Sequence, residues 1–447
     1  MSKTIDHSHY DCLLWLCLLI GIASPAYGDN SSMLGLSSRA SAMGGALTAT
    51  ADDYTATYYN PALLAWTLKD NEWLQTGATF IYTTRDFEVV DTTGAKVKKN
   101  FETKGVALGL TMDLDRVAGL KNCSLGTSLY VPTDALLSID IPTTANEYFF
   151  PIYDDLGKGM SAYTGIAYKI GERLSIGVGA NFLLRLPDTD THIIAFVDAD
   201  ELLNNPDLIK DLIEKGELPL GSSVVVQPGV NRELVLKVAP HAGVAMDILD
   251  WLRIGLSYRS KIGGLSDGWE YIYITPIDKD GHVVEDLASR LPVTQVPISY
   301  YAYFSPREYS FGIGIKRGRF LVDLDITYSM WSGYRGPHKE RPPELFKDTW
   351  NPKIGLEFYL NHRITLRGGY VWRPSPVPTQ RGQTNYLDSD TQILCGGIKY
   401  QIGRSSLQAH LQYHLWEDQD VEKGGNLPAI KYKGSLWNTG LSYITEF

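Results

Sequence analysis

The feature that most constrains this chain is a period-two alternation, sustained over long runs and repeated along most of the sequence. In residues 173–185, Leu174, Ile176, Val178, Ala180, Phe182 and Leu184 share one parity, and Ser175, Gly177, Gly179, Asn181 and Arg185 the other. Residues 320–331 repeat the pattern, with Phe320, Val322, Leu324, Ile326 and Tyr328 opposite Asp323, Asp325, Thr327 and Ser329. A strand sends successive side chains to opposite faces, so each run has one apolar and one polar face. A helix would spread the same apolar groups around its whole axis. A tilted strand of about 9–11 residues is long enough to cross a bilayer.

Fourteen such segments lie near 73–84, 101–113, 123–131, 160–170, 173–186, 233–248, 252–260, 307–316, 319–331, 349–360, 363–373, 389–402, 405–417 and 432–447. Their connections alternate in length. Gly171-Glu172, Asp250-Trp251, Arg317-Gly318, Asn361-His362 and Gly403-Arg404 are tight turns, and 114–122 is a looser link on the same side. Between them come the long links 85–100, 132–159, 187–232, 261–306, 332–348, 374–388 and 418–431. An even strand number, with short turns at one end and long loops at the other, is the layout of an outer-membrane barrel. A soluble sandwich also has alternating strands, but its links need not alternate so regularly. The expectation is therefore an all-β fold, a 14-stranded antiparallel transmembrane β-barrel over residues 73–447.

Composition fits this reading. Mean hydropathy is only −0.13, as expected where lipid-facing and lumen-facing residues alternate. The 27 Tyr and 10 Trp suit interfacial girdles, where an apolar ring with a polar tip is favoured. A net charge of −10 argues against a nucleic-acid partner. Residues 13–22 are apolar and are followed by Pro25, Ala26 and Gly28, which reads as a signal peptide, 1–28, cleaved before Asp29. Cys12 and Cys17 leave with it. Cys123 and Cys395 each lie in a strand-like run, so neither a disulfide framework nor a metal cluster is indicated, and no cofactor is expected. Phe447, Tyr443, Leu441 and Trp437 share one parity in the last segment. A terminal strand ending in an aromatic resembles the signal read by the barrel assembly machinery, although Thr445 stands where an apolar residue is more usual.

Residues 29–72 form a separate N-terminal segment rich in small residues, with Asp52 and Asp53 followed by Asn60-Pro61-Ala62. Small side chains let a backbone pack closely inside something else, and Asn-Pro makes a rigid turn. This segment resembles the hatch of the FadL/TodX family of outer-membrane transporters for long-chain fatty acids and aromatic hydrocarbons, whose signature matches Asn60, Pro61 and Ala62. The resemblance recurs at Tyr258-Arg259-Ser260, at 330–334, at 346–370, at 375–380 and at 387–390, and fourteen strands is the family's number. Arg373-Pro374 departs from it, because acidic residues are common there. The resemblance implies an apolar groove at the third and fourth external loops, a pocket in the lumen, release as the hatch shifts, and in many members a sideways exit at a kinked third strand. It implies a Gram-negative outer-membrane location among lipid and lipopolysaccharide.

Within the third external loop, Leu208, Ile209, Leu212 and Ile213 fall on one helical face and Asp207, Lys210, Asp211 and Glu214 on the other. That face either packs the loop on the rim or walls the entrance groove. Parity turns Arg185, Lys237, His241 and Arg259 into the lumen. The cations either hold a substrate carboxylate or pair with the hatch's Asp52 and Asp53. An outer-membrane phospholipase would need a Ser–His pair on the lipid face, and the histidines show no such motif. The expected function is passive, hatch-gated transport of hydrophobic small molecules, with long-chain fatty acids favoured. Uptake of aromatic or aliphatic hydrocarbons is the alternative, with a non-transporting barrel scaffold of the same family beside it.

Overall fold

A computed structural model describes residues 30–69, 72–133, 148–153, 160–185, 195–198, 223–232, 235–277, 282–283, 294–336, 339 and 341–447. The signal segment 1–28 and the 208–213 loop helix lie outside the described residues. Contact clustering separates the described chain into two units.

The larger unit is a closed barrel of fourteen antiparallel strands. In chain order they are β1 (Leu74–Asp91), β2 (Lys96–Asp113), β3 (Cys123–Pro132), β4 (Met160–Ile170), β5 (Leu174–Arg185), β6 (Val235–Leu249) and β7 (Leu252–Arg259). They continue as β8 (Arg307–Arg317), β9 (Phe320–Met330), β10 (Thr349–Tyr359), β11 (Ile364–Arg373), β12 (Thr391–Ile402), β13 (Ser405–Trp416) and β14 (Ile430–Glu446). Each strand neighbours the next, and β1 pairs with β14 from Gln75↔Glu446 to Asp91↔Ile430, which closes the cylinder. Closure leaves no barrel edge with unpaired backbone groups, a requirement in lipid. Gly171 and Gly318 hold φ of +64° and +60° in two of the tight turns, a region costly for other L-residues. The link 114–122 contains the short helix Leu114–Ala118, started by Asp113, whose carboxylate accepts from the Asp115 N–H.

Burial follows the parity read from the sequence. On β5, Ile176 and Val178 are exposed to the surroundings while Ser175 is buried, and on β9 Phe320, Leu324 and Ile326 face out while Asp323 and Asp325 face in. Outward aromatics pair across strands toward both ends. Tyr413 stacks on Trp437 at 4.1 Å and Tyr328 lies 4.6 Å from Trp350, while Phe320 lies 4.9 Å from Phe358 at the opposite end. These are the girdles of a membrane barrel.

Two differences from expectation have physical causes. β1 and β2 run past the expected ends and meet through residues 92–95, so 85–100 is mostly strand. In β1 the apolar side changes over there: Phe80 faces out, but Phe87 and Val89 are buried inside. The parity that marks a lipid-facing strand breaks down where the inner wall becomes apolar. Second, the links 187–232 and 261–306 contain strands of their own. Ala195–Asp198, Ser223–Arg232, Ile262–Ile277 and Thr294–Ser305 form a four-stranded sheet, the core of the smaller unit. Its central run Val224-Val225-Val226 is uniformly apolar, so period two does not announce it. β3 pairs with both neighbours in continuous register, from Gly105↔Pro132 to Asp113↔Ser124 and from Cys123↔Tyr168 to Tyr130↔Ser161.

Candidate functional site

Residues 30–66 fold inside the barrel as short helical pieces, Asn30–Met33, Ser38–Ala42, Ala56–Tyr59 and the 3-10 turn Pro61–Trp66. Local chemistry sets these pieces. Ser37 caps the second by accepting from the Ala40 N–H at 3.2 Å, and Asn60 caps the last by accepting from the Ala62 N–H at 3.1 Å. Proline at the first position of that turn loses no hydrogen bond. Small residues predominate because the wall comes extremely close. A Cβ added at Gly177 would lie 2.3 Å from the Ala62 nitrogen, one at Gly255 2.0 Å from the Thr48 carbonyl oxygen, and one at Gly109 2.2 Å from the Tyr54 ring.

The hatch is fastened by buried polar groups. Arg39 donates from Nε to Glu357 at 2.9 Å and from a terminal nitrogen to the Thr50 carbonyl at 2.9 Å. Glu357 also accepts from Arg367 at 2.7 Å and from the Tyr359 hydroxyl at 3.0 Å. Asp325 accepts the Leu47 and Thr48 N–H groups at 3.0 and 2.9 Å, and Thr50 donates to Asp323. Gln412 and Asn438 donate to the Ser41 and Leu34 carbonyls. Satisfying orphan backbone groups this way is what lets non-helical chain sit within a barrel.

The residues singled out from the sequence fall into three groups. Asn60, Pro61 and Ala62 are buried against β5 and β6: the Asn60 amide donates to the Val244 carbonyl at 3.1 Å, and Ser175 donates to the Ala62 carbonyl at 2.7 Å. Asp52 lies 3.3 Å from Arg39. Asp53 serves the hatch internally, accepting from Ser37 at 3.1 Å and from the Thr55 N–H at 2.9 Å. Burial, with Asp52 beside it, pushes its carboxyl above the usual range. Arg259 is buried and committed: it donates to the Tyr58 carbonyl at 2.8 Å, pairs with Glu308, and covers the Tyr58 ring at 3.8 Å. Lys237 has the inward parity of Ala239 and His241 and is half-buried. Arg185 ends β5, and its side chain is outside the described residues, as are Leu208, Ile209, Leu212 and Ile213.

Above the hatch the inner wall turns aromatic. Phe87 lies 4.4 Å from Trp416, 4.9 Å from Phe150 and 5.3 Å from Tyr153, and Tyr153 lies 5.0 Å from Trp416. Met33 and Leu34 of the hatch pack into the same cluster. Next to it Arg373 donates to both Asp388 oxygens at 2.8 and 2.9 Å and covers the Tyr153 ring at 5.4 Å. The departure Arg373-Pro374 is thus matched by a carboxylate fifteen positions on. Sequence reasoning missed this cluster, and its signal was the apolar inner parity of Phe87 and Val89.

No family model matches the chain. Over 102 residues it is 36% identical to Alkane uptake protein A of Marinobacter nauticus, covering 20% of this chain and 23% of that protein. Over 134 residues it is 22% identical to the Long-chain fatty acid transport protein of Escherichia coli K12, covering 28% and 30%. The chain thus spans less than a third of the length of the curated relatives it matches. Its fold superposes on the Pseudomonas putida toluene transporter TodX with a TM-score of 0.58 and 17% identity, covering 93% of this chain and 99% of that one. A Pseudomonas aeruginosa FadL homologue gives 0.61 and 15%, covering 95% and 99%. The chain has the fold of the FadL/TodX-type barrels.

Among the described residues of this barrel two Ser–His pairs occur, but neither faces lipid. His241 meets Ser257 at 2.9 Å and the Thr57 carbonyl at 3.1 Å, and His410 meets Ser38 at 3.1 Å. All of them are buried between hatch and wall. They fasten the hatch to the wall. By name, the Escherichia coli relative is a transport protein, the Marinobacter nauticus relative an uptake protein and the Pseudomonas putida neighbour a transporter. Cys123 and Cys395 are unbridged, and among the described residues no cluster of metal ligands forms.

Proposed function

We propose that the protein carries hydrophobic small molecules, long-chain fatty acids foremost, across the outer membrane of a Gram-negative bacterium by passive diffusion, with the hatch as gate. The observation that carries this reading is the apolar, aromatic cluster inside a closed barrel, resting on a polar-fastened hatch. An apolar solute excluded from water gains by contact with such a cluster. Conduction requires that it bind well enough to load and loosely enough to leave. The continuous pairing of β3 supports release past the hatch over a sideways exit at that strand. Leu208, Ile209, Leu212 and Ile213 serve as a wall of the entrance groove, and Lys237 and Arg185 as inward cations on the route. Lipopolysaccharide surrounds the barrel, and the barrel assembly machinery inserts it.

The test is uptake of labelled oleic acid by Gram-negative cells lacking their own long-chain fatty acid transporter. Saturable accumulation that depends on this protein supports the reading, and no accumulation above the empty-vector level sinks it. The similarity to an alkane uptake protein favours a second reading, aliphatic hydrocarbons, and labelled hexadecane in the same cells separates the two. Mass spectrometry of apolar molecules copurifying with the solubilised protein gives an independent answer.

A further inference from the structure

The strand registers arrange the inner wall above the hatch in rows. The lower row runs Val371, Ile393, His414, Leu436 and Arg85; above it lie Arg373, Thr391 and Trp416, with Gly434 opposite Phe87. His414 and Trp416 are two apart on β13, so both point inward from one face. His414 is fully buried, and neither ring nitrogen has a hydrogen-bond partner; the Trp416 indole N–H has none either. Buried polar groups are almost always paired, and an unpaired one calls for an explanation such as a missing ligand. Three orphan sites on adjacent side chains, at the edge of the aromatic cluster, call for the same explanation.

We propose that His414 and Trp416 form the head-group subsite of this barrel, and that they take an amphiphile whose head is an uncharged oxygen group able both to donate and to accept. The proposal rests on the transport reading and names the substrate class within it. The donor inventory selects the head. Neutral histidine offers one N–H and one lone pair, and indole offers an N–H only. A protonated carboxylic acid donates its O–H to the free imidazole nitrogen and accepts from the indole; an alcohol does both through one oxygen. A carboxylate has nothing to donate and leaves the imidazole lone pair unmet. The ion pair beside the subsite points the same way. Arg373 is neutralised by the buried Asp388, whose backbone carbonyl accepts from the Tyr432 hydroxyl. An anionic head entering here would meet Asp388 beside its cation. A fatty acid therefore enters the subsite carrying its proton, taken from bulk water.

The test compares dodecane, dodecanol and dodecanoic acid labelled at its carboxyl carbon. Each is titrated against the full chain in lipid nanodiscs, with empty nanodiscs as baseline. Alcohol and acid should bind at least about tenfold more tightly than the alkane, since a site built to hydrogen-bond a hydroxyl rejects the analogue lacking it. The bound acid's carboxyl carbon should resonate at the protonated position in neutral buffer. His414→Phe and Trp416→Phe, made separately, should each shrink the discrimination while alkane binding persists. They should keep the barrel heat-modifiable in detergent gels, because the closed strand ladder does not depend on either side chain. Equal binding of alkane and alcohol, a carboxylate resonance for the bound acid, or full discrimination in both variants would overturn the subsite. Binding of none of the three would overturn the transport reading and the subsite together.

Discussion

Glu357 concentrates the electrostatics of the hatch in one side chain, since Arg39 of the hatch and Arg367 of the wall both reach it. Replacing it by Gln leaves two buried guanidiniums facing a neutral group, and one-sided loss of a buried pair costs about 3–5 kcal/mol. Arg39→Met should cost less, because Glu357 keeps Arg367 and Tyr359. Urea unfolding of the lipid-refolded variants checks this order, and an equal or reversed order would contradict it. Gly177 makes the steric counterpart. In Gly177→Val the new Cβ meets backbone atoms of Pro61 and Ala62 at 2.4 and 2.3 Å, which cannot rotate away as a side chain could. The barrel should still migrate as folded, while protease added from the periplasmic side should now cut near residue 62. Neither residue was legible as a contact. Inward parity placed Gly177 on the lumen face, but nothing in the sequence says that Ala62 lies against it. The hatch's small residues announced close packing without naming their partners.

At the scale of elements, the barrel strands were read almost whole because lipid outside and polar hatch inside impose opposite chemistry on alternating residues. The reading failed where that contrast lapses: at 85–91, where the inner side is apolar too, and in the uniformly apolar 224–226. Loops obey local chemistry that periodicity does not carry. Lys423 is an example. It is buried between the links 374–390 and 417–429, donating to the Gln380 carbonyl at 2.9 Å and to that of Thr384, while its own carbonyl accepts from the Gly382 N–H at 2.9 Å. Burial lowers its ammonium from 10.5 to about 8. A lysine lowered on folding penalises the docked loop while it is charged. The penalty is full below about pH 8 and is relieved as pH rises from there toward 10.5. Limited proteolysis of the 417–429 link should therefore slow between these limits. In Lys423→Met the rate should no longer slow over that window. A wild-type loop that loosens as pH rises would reverse the assignment.

For the whole molecule, two stabilities are superimposed. The cylinder is held by fourteen strands whose ladder closes without the hatch, since β1 pairs directly with β14. The hatch is held by side chains, chiefly Arg39, Asp325, Gln412 and Asn438, and by glycines that would tolerate its absence. The hatch should therefore be separable from the barrel. Removing residues 30–66 takes away the polar floor on which the aromatic cluster rests, together with Met33 and Leu34, which belong to that cluster. Closed barrels fold around interstrand hydrogen bonds, so the truncated protein should still insert, show mostly strand by circular dichroism and migrate differently when heated. Its lumen, lined by Asp323, Asp325, Glu357 and Arg367, would then hold water. The expected outcome in planar bilayers is a steady ion conductance that the intact protein lacks, with saturable uptake of apolar solute lost. An intact protein that already conducts as well as the truncated one would show that the hatch does not close the lumen. A truncated protein with unchanged saturable uptake would show that the gate lies elsewhere.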